Sequence, residues 1–191
     1  MKPSLTNTLK QLRLSGLAGS LEVRLQEARS NRLSHEEFLE LILLDELSVR
    51  KDRSVARRMK AALFREDKTL EDFDWDFNPK IPKKKVYDLA AAHFVREARD
   101  VLLIGPPGTG KSHLAQALGR ALVHSGHMVL YRSIFDVVRD FLHDEAFEGH
   151  AKIMLKYLKP DVLIIDDMGM KRLPKNSGEY LFEIVLRRHE V

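Results

Sequence analysis

Apolar positions in the first third of the chain recur every three or four residues, the period of helices that bury one face. Ser4 stands as an N-cap before LTNTLKQLRL, SGLAG at 15–19 breaks that helix and starts another, SLEVRLQEARSN, and Ser34 opens a third. In SHEE, Glu37 follows the Ser34 hydroxyl by three residues, the spacing of a capping box. Phe38, Leu41, Ile42, Leu44 and Leu47, then Val55, Met59 and Leu63, carry the apolar face onward as one long helix or two abutting ones. A small all-α domain over residues 1–68 is the expectation.

The pattern changes at EDKTLEDFDWDFNPKIPKKK, where prolines and alternating aromatic and acidic residues predict an extended linker over 69–82. Phe73, Trp75 and Phe77 are spaced by two, so an extended chain points all three to one side, ready to dock on the neighbouring domain. Contact with a nucleotide base is a second role open to them. Farther on, the period alternates. A helix, KKVYDLAAAHFVREA, leads into a strand, VLLI at 101–104, then a helix from Lys111 to about His124 and a strand, MVLYR. Helices from Ser133 and through AKIMLKYL, a strand VLIID at 162–166 and a last helix around SGEYLFEIVLRRHE complete the series. Short apolar strands separated by amphipathic helices predict an α/β core over 83–191, with a parallel sheet covered on both faces. Three strands can be counted.

Composition narrows the class. A chain that is 44% hydrophobic and 31% charged has the balance of a globular protein, not a disordered one. No apolar run approaches the roughly 20 residues of a membrane span, and MKPSLTNTLK lacks the apolar stretch of a secretory signal, so a cytoplasmic protein with no membrane partner is expected. There is no cysteine, and the eight histidines lack the paired spacing of a zinc site. No metal is expected beyond the one a nucleotide brings.

Chemistry concentrates after VLLI. Gly105, Gly108, Gly110, Lys111 and Ser112 satisfy G-x-x-x-x-G-K-[ST] between an expected strand and an expected helix, the context in which the pattern cradles a polyphosphate. Glycines let backbone N–H groups turn inward, the helix N-terminus adds positive potential, Lys111 neutralises phosphate oxygens, and the Ser112 hydroxyl suits Mg²⁺. The contacting segment is Gly105, Pro106, Pro107, Gly108, Thr109, Gly110, Lys111, Ser112 and His113, the last read as a helix-face residue and not a catalyst. Asp166 and Asp167 end VLIID at the carboxyl edge of the sheet, where such folds bind ligands. Asp166 suits the Mg²⁺ shell and Asp167 the orientation of an attacking water.

The net charge of +4 gains meaning from its distribution. VRKDRSVARRMKAALFR carries Arg50, Lys51, Arg53, Arg57, Arg58, Lys60 and Arg65 against one acid, Asp52. At 100° per residue these cations fill about half of a helical wheel. Such a face fits a phosphate backbone; with only Phe64 as an aromatic and no pattern that reads base edges, sequence-indifferent binding to double-stranded DNA is expected.

Taken together, LRLSGLAGSLE, LSHEEFLELILLDE followed by arginines, KTLEDFDWDF, GPPGTGKSHLA, LIIDDMG and LFEIVLRRHE resemble the IstB-like ATP-binding proteins. These are AAA+ helper ATPases of insertion-sequence transposition, related to the DnaC helicase loaders, and the resemblance covers essentially the whole chain. It implies a P-loop AAA+ three-layer parallel sheet behind a small all-α domain, with ATP and Mg²⁺ as ligands. It also implies assembly as a homo-oligomer on duplex DNA and delivery of that DNA to a transposase. By the same resemblance Lys111 and Ser112 hold phosphate and Mg²⁺, Asp166 belongs to the metal shell, and Asp167 stands where such proteins often carry glutamate. Family members continue past RRHE into a strand with a polar sensor, an arginine finger and a closing helical stretch. A truncated chain with an incomplete sheet and weak turnover is therefore expected. A DnaC-like helicase loader and, from another class, a small-molecule kinase are the alternatives; GMKRLPKNSGEY makes a poor kinase lid.

Overall fold

The computed structural model of the chain describes residues 3–144, 149–170, 172–175 and 177–190. Two compact units divide it, Met1–Arg57 and Arg58–Val191.

The first unit contains α1 (Pro3–Gln11), α2 (Ser15–Asn31) and α3 (His35–Ala62) as far as Arg57. SGLAG does not break a helix. The break falls at 12–14, where Arg13 takes a left-handed φ of 56°, and residues 15–19 form the first turns of α2. The reason is tertiary. Glu46 of α3 accepts the N–H groups of Gly16 at 2.7 Å and Leu17 at 3.0 Å, a cap that no sequence neighbour supplies. Gly16 permits the approach, since a Cβ there would lie 2.9 Å from the Glu46 Cα. Arg24 grips Asp45 through two bonds of 2.8 Å, and Leu9, Leu21 and Ile42 form the buried centre, each burial contributing roughly 1.5–3 kcal/mol. The capping box forms as the spacing predicts: the Ser34 N–H donates to Glu37 at 2.7 Å and the Glu37 N–H to the Ser34 hydroxyl at 3.2 Å. From it α3 runs as one continuous helix.

In the second unit, β1 (Val129–Ser133) pairs in parallel with β2 (Val162–Asp166), Val129 opposite Val162 and Ser133 opposite Asp166. A parallel pair needs a crossover, here α7 (Ile134–Asp144) and α8 (His150–Leu158). Ser133 ends the strand and caps α7, its hydroxyl accepting the Asp136 N–H at 3.1 Å. Strand alternation then sorts the side chains. Leu130 and Leu163 face Val137, Phe141, Met154, Tyr157 and Ile184 of α7, α8 and α9 (Ser177–His189). Tyr131 and Ile164 face the other way, toward Phe64 and Gly119, the latter in α6 (Lys111–His124). Arg188 ties α9 to the end of α8, donating to the Tyr157 and Pro160 carbonyls at 2.9 Å.

Three expectations need correction here. The helix expected across 84–98 is two pieces, α4 (Lys83–Ala90) and α5 (His93–Arg96), divided at Ala92 with φ 61°. The strand expected at 101–104 does not form: Leu102 and Ile104 are 81% and 88% exposed, and the sheet of the described residues has two strands, not three. An extended segment gains its hydrogen bonds only beside a partner, and both strands of the sheet pair with each other alone. The linker is not extended either. Asp74 accepts the N–H groups of Asp76 and Phe77 at 3.0 and 3.1 Å, a turn that leaves Phe77 65% exposed while Phe73 is buried with Leu70, Val86, Leu114 and Leu118. Among the described residues no helix is long and apolar enough to cross a membrane.

Candidate functional site

The glycine-rich turn lies directly ahead of α6. Gly108 and Gly110 adopt φ of 77° and 86°, conformations that glycine takes without a steric penalty. Their successive turns bring the Thr109 hydroxyl and the Lys111 ammonium onto one acceptor, the Pro106 carbonyl, at 2.9 and 2.7 Å. Pro106, Pro107 and Gly108 are exposed, as is Gly105 at the loop's start. Lys111, with two further N–H donors, and the first N–H groups of α6 give this turn the donor set that a polyphosphate requires.

Behind the loop, Phe73 of the linker packs so closely that a Cβ on Gly110 would meet its ring at 2.9 and 3.0 Å. The same ring stands edge-on to His113 at 5.0 Å and to Trp75 at 4.8 Å, while His113 Nε2 lies 3.1 Å from the Thr69 carbonyl. His113 is thus turned onto the linker. Phe73 and Trp75 dock as expected, though from a turned and not an extended chain, and Phe77 does not join them.

The second half of the site is the end of β2. Alternation along the strand puts Asp166 on the α6 face, where it accepts from the Tyr131 hydroxyl at 2.6 Å and from the Asp167 N–H at 2.8 Å. Burial works to raise this carboxyl; the Tyr131 and Ser112 hydroxyls, the Asp167 amide and the Arg65 charge outweigh it and hold the group below the usual carboxylate range. Burial and the Asp166 carboxylate together push the Tyr131 phenol well up, so it stays a donor. The strand-end carboxylate thus faces α6, and the Ser112 hydroxyl near the start of that helix is among the groups that lower it. An oxygen pair of this kind, a hydroxyl beside an ionised carboxylate, fits a hard divalent cation.

Asp167 turns out of the strand with a left-handed φ of 62°. Its Oδ2 accepts from Arg65 at 2.9 Å, and the other arm of Arg65 reaches Asp136 at 3.1 Å. Periodicity alone places Arg65 on the cationic helix face. It lies instead beyond the end of α3 at Ala62, past Leu63 with φ 59°, and its partners are 71 and 102 positions away. Sequence reasoning likewise misses Tyr131, Asp136 and Gln116, the last of which fixes the Arg65 and Glu66 N–H groups at 2.9 and 3.0 Å. No local motif marks them. Phe64, the one aromatic of the basic stretch, packs toward Gly119 and Tyr131.

The other cations of that stretch lie on α3. Arg50 pairs with Glu46 at 2.7 Å, and Arg53 donates to the Ser15 hydroxyl. Lys51, Arg57 and Lys60 are exposed and Arg58 is half-buried, none of the four with an ion pair among the described residues.

Known proteins are similar to this chain in sequence over nearly its full length. An ATP-binding protein of an insertion sequence in Mycobacterium tuberculosis is 36% identical over 186 residues, covering 97% of this chain and 74% of that protein. The IS21 ATP-binding protein of Pseudomonas aeruginosa is 34% identical, covering 95% of this chain and 69% of the relative. The corresponding shares for an insertion-sequence ATP-binding protein of Geobacillus stearothermophilus, 29% identical, are 100% and 76%. Residues 7–191, which span the helical unit, the linker, the glycine loop and the paired aspartates, match the family described as IstB-like ATP binding protein, and the chain belongs to that family.

Proposed function

We propose that the chain binds ATP with Mg²⁺ and serves as a DNA-binding helper of transposition, holding duplex DNA without sequence preference and delivering it to a transposase. The placement of Asp166 at the end of β2, on the sheet face that looks toward the helix opened by Lys111 and Ser112, supports the nucleotide half of this reading. The relatives are ATP-binding proteins of insertion sequences, which supports the transposition half.

In this reading Gly108, Thr109 and Gly110 present backbone N–H groups to the phosphates, Lys111 leaves the Pro106 carbonyl for a phosphate oxygen, and Ser112 and Asp166 hold the metal. Bound Mg²⁺ would supply charge neutralisation of the phosphate oxygens. Asp167, 29% exposed, orients the water that attacks. Lys51, Arg57, Arg58 and Lys60 of α3 contact the DNA backbone, with Arg50 and Arg53 beside them, and copies of the chain assemble along the duplex. The functional division into a helical domain (1–68), a linker (69–82) and an ATP-binding core (83–191) follows from the same assignment.

Lys111→Ala tests it. Two charge-assisted bonds to phosphate are worth about 3–6 kcal/mol, so affinity for a fluorescent ATP analogue should fall on the order of a hundredfold or more. Wild-type affinity in that variant removes the assignment.

A further inference from the structure

The acid proposed to orient water sits in an uncommon backbone conformation and is held by a residue far away in sequence. Asp167 has φ 62°, and a non-glycine residue persists there only when its surroundings hold it. Two bonds do so: its own N–H to Asp166 at 2.8 Å and its Oδ2 to Arg65 at 2.9 Å. Among the described residues its other oxygen takes no hydrogen bond, and the side chain is 29% exposed.

Arg65 is itself braced at both ends. Its N–H and that of Glu66 converge on Oε1 of Gln116, which is 3% exposed in α6, the helix that begins with Lys111 and Ser112. Its guanidinium spans Asp167 and Asp136, and Asp136 is locked to the end of β1 by the Ser133 hydroxyl. A planar fork can hold two carboxylates in set directions, which a single ammonium cannot. The arginine therefore links the phosphate-loop helix, the start of α7 and the end of β2.

From this geometry we infer that Arg65 is a positioning residue for ATP hydrolysis, aligning the Asp167 carboxylate so that its free oxygen receives the attacking water. The inference rests on the proposed ATP site. Arg65 touches neither nucleotide nor water in this role; it acts through Asp167.

The experiment is a double-mutant cycle on the full chain, with Arg65→Gln, Asp167→Asn and the pair together, read in two ways. Melting temperature without nucleotide reads the ion pair: each single change should lower it, and the double should fall no further than the worse single. Turnover of MgATP reads the role. Arg65→Gln should lower kcat at least tenfold with KM within twofold, Arg65→Lys should recover part of the loss, and Arg65→Gln should add nothing to Asp167→Asn. Additive melting shifts overturn the pairing. Turnover in Arg65→Gln at or above the wild-type rate overturns the positioning role, as does a wild type that binds MgATP without turning it over. Binding of the fluorescent ATP analogue to wild type is measured alongside, and its absence reports failure of the ATP site itself, separately from the fate of the Arg65–Asp167 pair.

Discussion

Gly110→Ala tests the packing on which the phosphate loop rests. Gly110 holds φ 86° at the entry to α6, and an alanine forced to stay there pays about 1–2 kcal/mol for the left-handed conformation. Its methyl carbon would also stand 2.9 and 3.0 Å from two atoms of the Phe73 ring, closer than carbon atoms pack. The ring has little freedom to retreat, being 6% exposed and flanked by Trp75 at 4.8 Å and His113 at 5.0 Å. Overpacking of that kind costs about 1–3 kcal/mol, for a total of about 2–5 kcal/mol. Trp75 is the sole tryptophan of the chain and touches the strained ring, so its fluorescence reads this unit specifically. The urea midpoint should drop on the order of 1–2 M with the slope unchanged. Phe73→Leu in the alanine background should then cost less than it does in the wild type, because the shorter side chain vacates the collision volume, while the backbone part of the loss stays. A Gly110→Ala protein within about 0.5 kcal/mol of wild type would refute the reasoning.

Two further outcomes are expected. Replacing Arg53, Arg57 and Arg58 by alanine should weaken duplex binding equally across unrelated sequences and flatten its salt dependence by about 0.9 for each phosphate no longer neutralised; unchanged affinity in a salt titration would mean that this face is merely hydrated. In the first unit, hydrogen bonds from Arg24 hold the Asp45 carboxyl down to about 2 from its ordinary 3.8. A depressed folded value means that the stabilisation is fully present above the unfolded value and is lost as pH falls through the folded one. Helical circular dichroism should accordingly weaken between about pH 4 and pH 2, and Asp45→Asn should lose that acid-dependent component; an unaltered acid profile would show that the pair contributes nothing.

Local rules decided much of this protein. The G-x-x-x-x-G-K-[ST] run, the VLIID strand and its terminal aspartates, the capping box at Ser34 and the long cationic helix are each written in contiguous residues, because turn chemistry, strand alternation and helix periodicity act over a few positions. Tertiary packing decided the rest. Residues 15–19 became helix because Glu46, about 30 positions on, caps them. Residues 101–104 are apolar enough for a strand yet pair with neither β1 nor β2, and strand pairing is settled between segments, not within one. Arg65 left the cationic face because two carboxylates, distant in sequence and adjacent in space, offered its guanidinium a better electrostatic position than water does. Periodicity reports which face a residue occupies within its own element; which charge it meets there depends on how the elements pack, and that is a property of the folded chain.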